Sequence, residues 1–181
     1  MGPECFVVSQ PFLCGLKGAR LQTYDLEISS PLPRDQFRGF LESLTDLRRV
    51  ALFTLGSAAR TASDADKDAF VAAFHDYAVA VYNERLSRYN GQVLKVTGST
   101  QNAPGDFTVR TVLVDRGNST EVDFRVEGAP GQLKLLDASV EGIWLSIEER
   151  DQFSGFLGNH GGDIHALIQH LNTLTAQMRG R

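Results

Sequence analysis

Apolar residues recur three, four or five positions apart between Ser63 and Tyr89, and that period predicts one long helix. Phe70, Phe74, Tyr77, Val81, Tyr82, Leu86 and Tyr89 make the stripe, and Ser63 supplies an N-cap with Asp66 three positions on. The helix is expected to run about 25 residues and about 37 Å. So long an aromatic stripe requires a large apolar counterpart. Pattern alone leaves open whether that counterpart is an ordinary core or a bound apolar molecule.

The flanking segments have their own periods. Residues 34–44 read as a short amphipathic helix with Phe37, Phe40, Leu41 and Leu44 on one side. Asp46 can cap a second helix, largely buried, whose polar surface is sparse as far as Arg60. Gly56 inside it costs about 1 kcal/mol relative to alanine, which points to close packing or a kink. After Asn90-Gly91 the period becomes two. Segments 92–99, 106–115, 120–127 and 132–141 predict four strands separated by Gly, Asn and Pro turns. With no helix between them they form an antiparallel meander. Helical period returns with Ser146 and Glu149 as a capping box, Phe153, Phe156 and Leu157 as the apolar side, and Gly158 near the end. Asp163 caps a last helix carrying Ile164, Leu167, Ile168, Leu171, Leu174 and Met178. The expected fold class is α+β: a four-stranded twisted antiparallel sheet, with N- and C-terminal helices enclosing an apolar cavity. Residues 1–33 read as a divergent leader and 34–181 as a single domain.

Composition narrows the function classes. The 181 residues carry a net charge of −4 and a pI near 5.5, which gives no electrostatic footprint for nucleic acid. No apolar run approaches the ~20 residues of a membrane span. The first thirty residues lack the pattern of a targeting signal: Ser9, Gln10 and Pro11 interrupt the apolar stretch, and no Lys or Arg precedes it. Cys5 and Cys14 read as unpaired thiols more readily than as a disulfide.

Catalytic motifs are absent from the sequence: no P-loop, no G-x-G-x-x-G, no H-E-x-x-H and no G-x-S-x-G. His160, His165 and His170 fall five apart, about 140° of helical rotation, so the last two do not share a face. No metal site is expected there. His75 beside Asp76 reads as solvent-exposed. Arg110, central in an apolar strand, reads as an outward edge charge, with contact to a ligand head as the alternative.

Several ordered blocks carry a family resemblance. DLRRVALFTLG, FVAAFHDYAVAVYNERLSRYNG, LKVTGS and VEGIWLSIEERDQFSGFLGNHGGDIHALIQHL together resemble the MlaC, or toluene-tolerance, family over about residues 34–175. The phrases VALFTLG, DYAVAVY and GIWLSI are most similar to its hopanoid-associated HpnM branch. The resemblance implies a periplasmic lipid carrier rather than an enzyme, with no cofactor and no catalytic set. It implies a phospholipid or hopanoid-like ligand held in a cavity between sheet and helices. It also implies an inner-membrane ABC transporter with an MCE protein as partner, and an outer-membrane lipoprotein complex. Two features depart from the family: Met1 to Ser30 resembles neither its signal nor its first helix, and Leu133 or Leu135 stands where a Trp is frequent.

The two-sided apolar pattern nominates a cavity wall. Phe53 comes from the second helix, and Phe70, Phe74, Tyr77 and Val81 from the long one. Leu94 and Val96, Val109 and Leu113, Val122 and Phe124, and Val140 come from the four strands in turn. Trp144, Phe153 and Leu157 complete the wall. Two alternatives stay open. One is a ketosteroid-isomerase-like enzyme using Tyr77 or Tyr82 with a buried Asp123. The other is a scaffold whose core is filled by its own side chains.

Overall fold

The computed structural model describes residues 25–26, 39, 42–87, 92–129 and 132–180. Of the helix expected over 34–44, residues 39 and 42–44 are helical and the rest lie outside the described residues. Cys5, Cys14 and the 1–33 leader, apart from residues 25–26, also lie outside them.

The segments of helical period form α1 (Leu47–Leu55), α2 (Asp64–Ser87), α3 (Leu145–Asn159) and α4 (Ile164–Arg179). Three of the four begin at residues that satisfy orphan backbone donors as the sequence anticipates. Asp46 accepts from the Arg49 amide at 3.0 Å, the Ser63 hydroxyl from the Asp66 amide at 3.1 Å, and Asp163 from the His165 and Ala166 amides at 2.8 and 3.2 Å. The second helix does not continue to Arg60. It stops at Leu55, and Gly56–Arg60 forms a 3₁₀ turn. Gly56 adopts φ +64°, and a Cβ there would lie 3.3 Å from Arg150 Nε, so both conformation and close approach favour glycine. Gly158 does not end α3, which runs on to Asn159. Gly162 then closes the turn by donating to the Leu157 carbonyl at 2.8 Å.

Among the described residues the sheet has six strands in sequential order, all antiparallel. They are β1 (Asp25–Leu26), β2 (Val93–Ala103), β3 (Asp106–Asp115), β4 (Asn118–Glu127), β5 (Lys134–Val140) and β6 (Ile143–Trp144). The four anticipated strands are its body. The two additions are two-residue edge strands, too short to leave a period in the sequence. Leu94 pairs with Leu113, Val96 with Thr111, Val109 with Phe124, and Val122 with both Thr111 and Val140. Because opposed residues share a face, these positions form one apolar surface. Lys95, Arg110, Glu121 and Arg125 occupy the other face and are exposed.

The close-packed core lies within the helical layer. Leu55, Phe70, Leu167 and Leu171 are fully buried there, and each such side chain contributes about 1.5–3 kcal/mol. Phe153 sets its ring edge-on to Phe70 at 6.0 Å and to Phe74 at 6.4 Å. On the apolar sheet face, by contrast, Leu94, Val96, Leu113, Val122, Phe124 and Val140 are only half-buried. Among the described residues, no helix is long and apolar enough to cross a membrane.

Candidate functional site: a pocket between the helices and β5

A pocket of about 260 Å³ opens between α1, α2, the start of α3 and the strand β5. Leu47, Val50 and Thr54 come from α1, and Phe74, Tyr77, Ala78, Val81 and Tyr82 from α2. Leu135, Leu136, Asp137 and Ala138 form the β5 wall. Four consecutive residues of one strand line it because of an irregularity in register: Arg125 pairs with Asp137, but the next residue, Val126, pairs with Leu135. Leu136 is thus the extra residue of a β-bulge, which breaks the alternation of faces. Ala138 is opposed to Phe124, so the pocket wall is continuous with the apolar sheet face.

Exposure is graded across the pocket. Thr54, Phe74 and Ala78 are buried, whereas Glu148 and Gln152, one turn apart on α3, are exposed. Phe74 and Ala78 thus make one end apolar and buried, Glu148 and Gln152 make the other polar and exposed, and Ser146 with one Glu149 oxygen is polar but buried. The Thr54 hydroxyl donates to the Ala51 carbonyl at 2.8 Å within its own helix.

The start of α3 is held by Asp137, not by the capping box expected from Ser146 and Glu149. One Asp137 oxygen accepts from the Ser146 amide at 3.0 Å, and the other from the Ser146 hydroxyl. Asp137 thereby satisfies an orphan donor and places negative charge at the positive end of the helix. Glu149 turns across the pocket and accepts from the Tyr77 hydroxyl at 3.2 Å, which ties α3 to α2.

Of the nominated wall, Phe74, Tyr77 and Val81 line this pocket. Phe70, Phe153 and Leu157 belong to the adjoining close-packed core. Leu94, Val96, Val109, Leu113, Val122, Phe124 and Val140 lie together on the apolar sheet face, next to the pocket but not in its lining. Trp144 is opposed to Ser139 and so falls on the other face. Phe53 is turned outward: the residue is 43% exposed, with its ring under the Arg150 guanidinium at 5.3 Å. It sits between Leu52 and Thr54, about 100° of helical rotation from the buried Thr54, so it leaves the inner face. Strict alternation missed Leu135, Leu136 and Ala138. The adjacent leucines Leu135-Leu136 were the available signal, since an apolar pair interrupts a period of two.

The other chemistry-bearing residues lie elsewhere. Asp123 is not in the pocket lining, so the proposed trio with Tyr77 and Tyr82 does not assemble there. His75 is not solvent-exposed as expected. Its side chain is 15% exposed, with Nε2 at 2.9 Å from Glu42 and Nδ1 at 3.6 Å from Asp76. The Glu42 approach is an electrostatic contact that misses hydrogen-bond geometry. Phe156 stacks with His160 at 3.9 Å and His170 at 4.6 Å, whereas His165 faces Asp66 at 3.3 Å. Among the described residues no three His, Cys, Asp or Glu side chains converge on a possible metal position. Arg110 is exposed and lies along Gly98, away from the pocket.

Two comparisons place this arrangement among known proteins. A phospholipid-binding protein from Ralstonia solanacearum, solved in complex with a phospholipid, has the same fold. The TM-score is 0.71 at 23% identity, over 80% of this chain and 81% of that chain. The model of the family described as MlaC protein matches residues 19–173, beginning within the segment read as leader. With a match over most of its length, the chain belongs to the MlaC family.

Proposed function

We propose that this protein is a carrier that shields the acyl chains of a phospholipid from water and performs no catalysis. The observation that carries the reading is the pocket itself, apolar at its buried Phe74 and Ala78 end, polar at its exposed end, and continuous through Ala138 with a half-buried apolar sheet face. At about 260 Å³ it falls just below the roughly 300–1,000 Å³ of pockets for drug-sized ligands. A diacyl lipid is larger. Loading therefore begins in the pocket and extends over the face bearing Leu94, Val96, Val109, Leu113, Val122, Phe124 and Val140 as the helices move away from it. Each methylene removed from water contributes about 0.8 kcal/mol, so specificity comes from length and volume rather than polar chemistry.

Family membership and the fold shared with a phospholipid-binding protein support the ligand class. The phrases VALFTLG, DYAVAVY and GIWLSI support the hopanoid-associated branch, which makes a hopanoid-like lipid the second ligand to test. The carrier would act in the periplasm, between an inner-membrane ABC transporter with an MCE protein and an outer-membrane lipoprotein complex. A chain-buried lipid leaves slowly by itself, so delivery requires a partner that opens the site. Native mass spectrometry of the purified protein tests the reading. A mass excess that lipid extraction identifies as phospholipid or hopanoid supports it. Protein that stays ligand-free after incubation with both lipids contradicts it.

A further inference from the structure

The first turn of α3 spans the pocket from one wall to the other. On the β5 side, Asp137 accepts from the Ser146 amide at 3.0 Å and from the Ser146 hydroxyl. On the α2 side, the Tyr77 hydroxyl donates to Glu149 Oε1 at 3.2 Å. All four residues line the pocket. Ser146 and Glu149 lie three apart, so a single helical turn carries both attachments. The two are unequal. The Asp137 link is double and sits at the positive end of α3, where a carboxylate is favoured. The Tyr77 link is one bond at the long end of the usual range. Next to it, the Tyr77 ring meets Phe153 edge-on at 6.5 Å, one turn along α3 from Glu149. Such apolar contact is non-directional and survives a small shift, whereas a hydrogen bond already at 3.2 Å does not.

Resting on the lipid-carrier reading, we propose that the Tyr77–Glu149 hydrogen bond is a latch of the lipid-free pocket. It holds α2 to α3 while the pocket is empty and is released as acyl chains enter, with α3 remaining on β5 through Asp137. A diacyl lipid exceeds a space of about 260 Å³, so loading requires the walls to part, and the single bond is the link that gives way first. The consequence is opposite in sign to that of a ligand contact. A side chain that touches the lipid strengthens its binding. A bond present only in the closed state lowers the fraction of molecules competent to load, and the apparent affinity falls by that fraction. Removing the bond therefore raises affinity. A part-buried hydrogen bond of this kind shifts such an equilibrium by about three- to ten-fold.

The test sets the natural full chain against Tyr77→Phe, which deletes the hydroxyl and keeps the ring on Phe153. Both proteins are stripped of lipid, checked for fold by circular dichroism, and mixed in equal amounts. A limiting quantity of phosphatidylethanolamine is added in neutral-detergent micelles. Native mass spectrometry, which separates the two by the missing oxygen, reads which protein holds the lipid at equilibrium. The expected result is about three- to ten-fold more lipid on Tyr77→Phe. Glu149→Ala, which removes the other end of the bond, should shift the competition in the same direction. Tyr77→Phe combined with Glu149→Ala should gain no more than the larger single effect, because one bond is lost in all three. Equal loading, preference for the natural chain, or gains that add in the double variant overturn the latch while leaving the carrier reading intact. Lipid on neither the natural chain nor the variants overturns both.

Discussion

Replacing Ala78 by Trp separates a lipid pocket from a filled core. Ala78 is 7% exposed, lies one turn beyond Phe74 on α2, and lines the pocket while touching the helical core. An indole added there projects into a space of about 260 Å³. If it displaces about six methylenes of an acyl chain, the lipid loses about 5 kcal/mol, which is over a thousand-fold in affinity. If the same position faced close-packed atoms, overpacking would cost about 1–3 kcal/mol. For a chain of this length that is a drop in Tm of about 2–12 °C. The assay compares the natural and Ala78→Trp proteins, both delipidated, by thermal melting, and then by lipid content after reloading. The account expects Tm to change by less than about 2 °C, because the void admits the ring, while lipid uptake collapses. A markedly lower Tm, with no lipid taken up by either protein, would refute the reasoning.

Other consequences are open to measurement. Asp137→Ala removes the group that holds the start of α3 and should lower stability by about 1–2 kcal/mol in denaturant unfolding. Glu149→Gln, which keeps a hydrogen-bond acceptor for Tyr77, should cost less; the reverse order would restore Glu149 as the cap. The Arg125 guanidinium, bonded to Asp106 at 2.8 and 3.2 Å, holds that carboxyl below the usual carboxylate range. A depressed carboxyl stabilises the fold above its unfolded pKa, about 3.9, and that contribution is lost as pH falls through the native value. NMR titration of Arg125→Gln should show the Asp106 pKa rising. The stability loss at pH 7 should stay under about 1 kcal/mol, since the arginine is half exposed. Elemental analysis should find no stoichiometric zinc; zinc lost on changing His160, His165 or His170 would contradict the reading of those residues.

Much of this fold was legible because its signals are local and repeated. The stripe from Phe70 to Tyr82, the Asp46, Ser63 and Asp163 caps, and the period-two runs of four strands each depend on neighbours within a turn or a hairpin. What escaped depends on contacts distant in sequence. Asp137 displaces the Ser146–Glu149 box only because β5 passes beside the start of α3. Phe53 faces outward by its helical phase, and its ring is covered by Arg150 from another helix. His75 is covered by Glu42 rather than by solvent. The pocket shows the same division: α2 contributed Phe74, Tyr77 and Val81 through its period, while the β5 wall depends on a bulge that alternation cannot express. The strand residues nominated for the wall do share one face, but the pairing register alone does not say how far a pocket extends across it.

The most direct test of lipid occupancy is to map where an acyl chain lies. A phospholipid carrying a photoreactive diazirine along its tail would be loaded, irradiated, and its attachment sites located by peptide mass spectrometry. The account predicts adducts on pocket residues such as Phe74, Val81, Leu135 and Leu136, continuing onto Phe124 and Val122 of the apolar sheet face, and lost when unlabelled lipid competes. Adducts confined to the exposed sheet face around Arg110 and Arg125, or to the outward Phe53, and unaffected by competing lipid, would contradict it.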